Sequence, residues 1–261
     1  MASAILFDSV LCIGCRACES ACNEKWNLPY TDEVAAEEKL SAGKLTTVRT
    51  FGERYARKLC MHCLEPACAS ACPVTALEKT AHGPVVYHED RCIGCRYCML
   101  ACPFEVPVYT WNSRAPKVRK CDLCQDRTSQ GLPTRCSEAC PTEATITGPR
   151  NQLIQIARRR IRENPGEYYD HIYGLQEAGG TSVLMIGPAP MERLGMPAGL
   201  GTEALPGLTW RALQFVPDVV GLGTVLLGGI YWITHRREEV AAAEGPPPKS
   251  GANPHKQQEV R

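Results

Sequence analysis

The sequence predicts a mixed α+β fold in two related halves wrapped around metal, followed by one membrane-crossing helix. Three observations carry this. Sixteen cysteines lie between Cys12 and Cys140, and none lies after. They fall into four spaced groups, two of which repeat each other closely. Near the C-terminus, residues 213–234 form one apolar run with aromatic and basic flanks.

The first group is C-x2-C-x2-C-x3-C, at Cys12, Cys15, Cys18 and Cys22. The second is C-x2-C-x4-C-x3-C-P, at Cys60, Cys63, Cys68, Cys72 and Pro73. The third repeats the first spacing and adds proline, at Cys92, Cys95, Cys98, Cys102 and Pro103. The fourth is C-x2-C-x11-C-x3-C-P, at Cys121, Cys124, Cys136, Cys140 and Pro141. Residues 12–22 and 92–102 are identical at eight of eleven positions, and the second and fourth groups both end in Ala-Cys-Pro. An internal repeat marks one supersecondary unit used more than once.

Soft thiolates suit iron–sulfur clusters, copper(I) and zinc. Three thiolates on a tight loop reach three irons of one cubane. A fourth, set on a helical start, points away and ligates the other cluster of a pair. Proline after it has no N–H to satisfy and fixes the chain direction. The first and third groups match this bacterial ferredoxin pattern. The fourth, taken alone, also suits a four-thiolate zinc site. An even cysteine count suits disulfides too, but disulfide frameworks belong to small secreted domains. The opening Met1-Ala2-Ser3-Ala4-Ile5-Leu6 has no basic n-region and no twin arginine. Sixteen ligands at four per cubane give four [4Fe–4S] clusters with no cysteine left over. No ligand position is substituted, which argues for plain electron transfer rather than substrate binding at a vacant iron.

The remaining composition is ordinary. Formal net charge is +1, so nothing global points to nucleic acid or an acidic partner. Only four phenylalanines are present, so metal replaces part of an aromatic core. Residues 1–149 form the cluster domain, with a polar insertion at 31–58 whose residues 32–40 suit a short helix. Residues 150–205 form an extension. In it 150–164 reads as an amphipathic helix, with Leu153, Ile154, Ala157 and Ile161 on one face and Pro165-Gly166 as its stop. Its Arg158, Arg159, Arg160 and Arg162 read as a solvated face. Residues 237–261, with Pro246-Pro247-Pro248 and Gly251, read as a disordered tail.

Arg16, Lys58, Arg96, Lys117, Arg119 and Lys120 lie close to the cysteines in sequence. Cations there favour the reduced, more negative cluster and raise its potential. His62 lies between Cys60 and Cys63, where packing or hydrogen bonding is its expected role. Trp26 and Trp111 read as packed aromatics. No nucleophile–base pair, phosphate loop or flavin fingerprint is present, so catalysis is assigned to a partner.

The four-group order, with its long spacing in group four, resembles the iron–sulfur subunits of molybdopterin oxidoreductases and membrane-bound hydrogenases. It is most similar to the beta subunits of membrane-bound formate dehydrogenase and the hydrogenase-2 iron–sulfur subunits. Tyr168-Tyr169-Asp170-His171-Ile172-Tyr173-Gly174 and Gly179-Gly180-Thr181-Ser182-Val183-Leu184 look like that family's extension. The resemblance implies two ferredoxin-like modules and a wire of clusters. The wire runs from a catalytic subunit, of molybdenum/tungsten-pterin or nickel–iron type, to an integral membrane subunit that binds quinone or haem. It also implies four ligand sets. Cys12, Cys15 and Cys18 join Cys140; Cys121, Cys124 and Cys136 join Cys22. Cys60, Cys63 and Cys68 join Cys102; Cys92, Cys95 and Cys98 join Cys72. Spacing alone leaves open a linear alternative, with group one paired to two and three to four. The opening residues lean toward the formate dehydrogenase arrangement, in which the catalytic partner carries the export signal.

Residues 213–234 would span roughly 33 Å as a helix, enough for a bilayer core. Trp210, Tyr231 and Trp232 suit interfacial positions. Gly221, Gly223, Gly228 and Gly229 allow close packing on a partner helix. His235-Arg236-Arg237 follows, against Arg211 before. The positive-inside rule then puts the C-terminus in the cytoplasm and the cluster domain in the periplasm, on the inner membrane.

Overall fold

The computed structural model describes residues 3–245, in two units, Met1–Thr209 and Trp210–Arg261. In the first unit, strand β1 (Ser3–Asp8) is buried at every residue after Ser3. It leads through Cys12 and Cys15 into helix α1 (Ala17–Lys25), which bears Cys18 and Cys22. A short helix α2 (Asp32–Ala36) follows. Strands β2 (Thr47–Phe51) and β3 (Arg54–Lys58) form a hairpin that turns at Gly52-Glu53 and delivers Cys60. Group two holds the one-turn helix α3 (Ala67–Ser70). Strands β4 (Leu77–Lys79) and β5 (Val85–Tyr87) form the next hairpin, and α4 (Tyr97–Ala101) lies in group three. Strands β6 (Val108–Tyr109) and β7 (Val118–Arg119) lead into group four, which contains α5 (Gln125–Thr128) and α6 (Arg135–Glu138). Strand β8 (Thr145–Pro149) runs directly into α7 (Arg150–Glu163), and β9 (Val183–Ile186) completes a sheet of order β8-β1-β9.

Strand pairing positions the cysteine groups. β1 runs antiparallel to β8, with Phe7 opposite Thr145 and Ser3 opposite Pro149. The Asp8 N–H donates to the Ala144 carbonyl at 2.7 Å. The chain leaving β1 for Cys12 therefore starts beside the chain arriving from Cys140. The second half repeats this arrangement. Leu77 pairs with Tyr87, so the chain arriving from Cys72 lies beside the chain leaving for Cys92. Helix α1 packs on α6, and α3 packs on α4. Group one thus sits with group four, and group two with group three.

Alternation along β1 divides its burial between two cores. Ile5 and Phe7 face the cysteine side, with Leu59, Met61, Phe104 and Cys136. Ala4 and Leu6 face α7, where Leu153 and Ala157 pack with Leu184 and Ile186. β9 pairs parallel with β1. No boundary therefore falls at 149/150: the extension supplies an edge strand and a cover helix to the sheet that starts the cluster region. Arg160 also departs from a solvated role. Its Nη1 lies 2.9 Å from Oδ2 of fully buried Asp8, whose Oδ1 accepts the amide N–H groups of Val10 and Leu11. α7 thereby fixes the turn that enters group one.

The 31–58 segment departs from its reading as a polar insertion. Lys44, Leu45, Thr46, Thr47, Val48, Ala56 and Arg57 are all buried. α2 stops at Ala36 rather than near residue 40, because the Lys44 ammonium takes the carbonyls of Val34, Ala35 and Glu37 at 2.9, 3.2 and 2.6 Å. Those are the carbonyls a continuing helix would have bonded internally.

In the second unit, α8 (Leu205–Leu213) ends and α9 (Val216–Glu244) restarts with Pro217 in its first turn. Proline lacks an N–H and fits only there. The helix breaks at Gln214-Phe215, just ahead of Pro217 and Asp218, which interrupt the apolar run near its start. Among the described residues, 205–244 is the one helical stretch long and apolar enough to cross a membrane. α9 carries on through Glu244, so residues 237–244 are helical and not tail. Ala241, Ala242 and Ala243 are strong helix formers, and Arg236 pairs with Glu239 at 3.6 Å. The polyproline run and Gly251 lie outside the described residues.

Candidate metal centres

None of the sixteen cysteines forms a disulfide. All four groups share one backbone device. The residue before the second cysteine has positive φ in each: Gly14 at 70°, His62 at 48°, Gly94 at 73° and Leu123 at 58°. A β-carbon on Gly14 would stand 2.4 Å from the Tyr55 ring, so glycine is required there for space as well as for φ. His62 and Leu123 hold the same left-handed turn at a cost of roughly 1–2 kcal/mol each. After the fourth cysteine, groups two, three and four repeat a second turn. Thr75, Glu105 and Glu143 have φ of 51–53° and donate their N–H groups to the carbonyls of Cys72, Cys102 and Cys140 at 3.2–3.3 Å. Group one lacks the proline; α1 runs on to Lys25, and Asn27 takes positive φ instead. Groups two and four, irregular in sequence, are therefore built like the regular two.

Electrostatic effects among the thiols show which of them lie near one another. Cys12 feels Cys140 and Cys15. Cys22 feels Cys136 and Cys124. Cys63 feels Cys60, Cys102 and Cys68, and Cys98 feels Cys92, Cys95 and Cys72. One cavity is lined by Cys22, Cys121, Cys124 and Cys136, with Trp26 on its wall. Lys25 of α1 bridges to group four through Asp122 and Asp126, both at 2.7 Å. Electrostatic interactions also link the groups in series: Cys18 with Cys136, Cys121 with Cys60, and Cys68 with Cys98. Cys15 and Cys95, equivalent in the repeat, are exposed.

Burial pushes the Cys18, Cys22 and Cys68 thiols up to about 12. Without metal they would stay protonated; a bound metal displaces those protons and supplies the compensating charge. Among the described residues no three Cys, His, Asp or Glu side chains converge on one metal ion. A single zinc with bonds of about 2.3 Å would draw its sulfurs together. A cubane places each thiolate on a different iron, so its ligands stand farther apart. The donor set fits the larger group.

The buried polar side chains also fit it. His62 is 1% exposed. Its Nδ1 accepts the Val85 N–H at 2.9 Å, which puts the ring proton on Nε2, and that atom has no protein partner. An orphan donor in a cluster-binding loop suits an acceptor sulfur. Lys120 is buried and donates to the Val85 and Cys121 carbonyls while lying near Cys68. Four of the other cations near the cysteines are occupied elsewhere. Arg16 reaches Glu38 at 3.9 Å, Lys58 reaches Glu105 at 3.6 Å, and Lys117 donates to the Glu89 carbonyl at 3.2 Å. Arg96 stacks over exposed Trp111 at 4.7 Å. Two residues escaped the sequence reading: Arg57, on the cavity wall, and Glu19, fully buried between Cys18 and Cys22. Nothing in their sequence neighbourhood marks either as buried; the fold of the 31–58 segment does.

The 4Fe-4S dicluster domain family matches residues 52–150, which hold groups two to four. A protein of Nitratidesulfovibrio vulgaris Hildenborough is 44% identical over 254 residues, spanning 92% of this chain and 69% of its own. The hydrogenase-2 operon protein HybA of Escherichia coli O157:H7 is 35% identical over 272 residues, 85% of this chain and 83% of its own. The iron–sulfur subunit of nitrate-inducible formate dehydrogenase from Escherichia coli K12 is 36% identical over 199 residues, 69% and 66%.

Proposed function

This chain belongs to the family of [4Fe–4S] electron-transfer subunits that includes HybA and the formate dehydrogenase iron–sulfur subunits, and on that premise we propose that it carries four clusters in series between a catalytic subunit and a membrane subunit. The catalytic subunit is of formate dehydrogenase or hydrogenase type, and the membrane subunit binds quinone or haem. Bound at these thiolates, a [4Fe–4S] cluster would supply one-electron transfer.

The proposed ligand sets are supported by the packing of group one with group four and of group two with group three. Cluster 1 is held by Cys12, Cys15, Cys18 and Cys140. Cluster 2 is held by Cys22, Cys121, Cys124 and Cys136. Cluster 3 is held by Cys60, Cys63, Cys68 and Cys102, and cluster 4 by Cys72, Cys92, Cys95 and Cys98. The observation that carries this reading is the pairing of β1 with β8, which sets group one against group four. The electrostatic interactions between groups support the order 1-2-3-4, with exposed Cys15 and Cys95 at its two ends.

Iron, sulfide and zinc analysis of anaerobically purified protein tests it. About sixteen irons and sixteen sulfides per chain are expected. Eight irons, or zinc in place of iron, would overturn the four-cluster reading.

We also propose that α9 anchors the chain in the inner membrane, with the cluster unit periplasmic and residues after Thr234 cytoplasmic. His235, Arg236 and Arg237 support this orientation. A C-terminal alkaline phosphatase fusion, active only when exported, is expected to be silent; strong activity would reverse the orientation.

A further inference from the structure

Arg57 sits in β3 with 1% of its surface exposed. Its Nε donates to Thr46 Oγ1 at 2.9 Å and its Nη1 to Thr145 Oγ1 at 3.3 Å. Both hydroxyls are neutral, and no carboxylate among the described residues forms an ion pair with it. A buried charge without a counter-charge is strongly unfavourable, so a resident guanidinium implies an anion. The candidates are adjacent. Arg57 lines the cavity with Cys22, Cys121, Cys124 and Cys136, and its charge acts on the Cys136 sulfur. It also acts electrostatically on Cys12 and Cys18. It therefore faces ligands of both clusters in the group one/four half.

The internal repeat sharpens the point. The β2–β3 hairpin precedes Cys60 as the β6–β7 hairpin precedes Cys121, and the registers match: Thr47 pairs with Lys58 as Val108 pairs with Arg119. Val118 thus occupies the place of Arg57, three residues before the cysteine. It packs with Cys68 and Cys98 of the other half. Its cross-strand partner Tyr109 lies 3.6 Å, oxygen to sulfur, from Cys98. At this position one half has a cation and the other a valine and a neutral hydroxyl; the buried cation of the other half, Lys120, enters from a different position, near Cys68.

We propose that Arg57 is the shared counter-ion of clusters 1 and 2, and that its charge raises their reduction potentials. This rests on the four-cluster reading above. A thiolate-ligated cubane is negative when oxidised and one unit more negative when reduced. A fixed cation in a site of low dielectric therefore favours the reduced form. Being a guanidinium, Arg57 keeps its charge throughout the accessible pH range.

The test is an EPR-monitored redox titration of the purified protein as Arg57→Gln and Arg57→Lys. The Gln variant keeps a hydrogen-bonding side chain but no charge; the Lys variant keeps the charge but not the planar fork. Signals are assigned to clusters 1 and 2 from their perturbation in Cys12→Ser and Cys22→Ser. In Arg57→Gln, the reduced-to-oxidised ratio of those two clusters at fixed potential is expected to fall about tenfold, which is 59 mV for one electron. Clusters 3 and 4 should stay put, and Arg57→Lys should titrate close to wild type. Unshifted clusters 1 and 2 in Arg57→Gln with full iron would overturn the proposal, as would equal shifts in both variants, which would mark a packing role. If Arg57→Gln fails to load iron, Arg57→Lys decides: full iron at wild-type potentials sustains the counter-ion, and iron loss in both overturns it. A wild-type iron count below about sixteen would instead sink the four-cluster reading.

Discussion

Cys22→Ser is expected to disrupt the cluster whose other three ligands, Cys121, Cys124 and Cys136, lie about a hundred residues downstream, and to spare the one built on Cys12, Cys15 and Cys18. Cys22 is the last residue of its group and rides on α1, which packs on α6 with Cys136. The four thiols of the set line one cavity. Removing one of four thiolates leaves an iron without its protein ligand, so iron is lost or a three-iron species forms. Its EPR signature should coincide with that of Cys136→Ser. Pairing of group one with group two would make it coincide with Cys63→Ser instead, and that outcome would overturn the proposed ligand sets. The effect is all-or-none at one site, since no spare cysteine is available to substitute.

Lys44→Met is expected to destabilise the cluster unit by about 3–5 kcal/mol, the cost of stripping one partner from a buried ion pair. The Lys44 and Glu19 side chains are both fully buried, 2.8 Å apart. Glu19 also accepts the Val48 N–H and the Tyr30 hydroxyl, and Lys44 caps α2 through three carbonyls. This one pair ties α1, and with it Cys18 and Cys22, to the 31–58 segment. Bleaching of the iron–sulfur absorbance should move to markedly lower guanidinium concentration. The double variant Glu19→Leu/Lys44→Met should recover part of the loss, because replacing both charges removes the uncompensated one. Wild-type resistance in the single variant would show that the pair contributes little.

Much of the site was legible from cysteine spacing, because a cubane ligand must be a thiolate and a tight loop fixes how many residues separate three of them. The repeat of 12–22 in 92–102 likewise announced two halves. Less visible were the residues that support the clusters. Arg57 and Glu19 look like surface charges in the sequence, since polar residues signal burial only through partners distant along the chain. Thr46, Thr145 and Lys44 are such partners. The helix expected over 32–40 ended early for the same reason, with Lys44 taking its carbonyls. The arginine run of α7 looked uniformly solvated until Arg160 met Asp8, across the whole cluster region.

By itself, then, the sequence determined the metal chemistry, the number of available ligands, the two-fold repeat and the apolar helix near the C-terminus. These depend on residue type and local spacing. The tertiary structure decided which groups lie together, because that depends on β1 pairing antiparallel with β8 more than a hundred residues away. It likewise decided which charges are buried beside the cysteines. Loop spacing cannot choose among strand partners. Burial of β1 on both faces, with β8 and β9 paired to its two edges, does, and it sets group one beside group four.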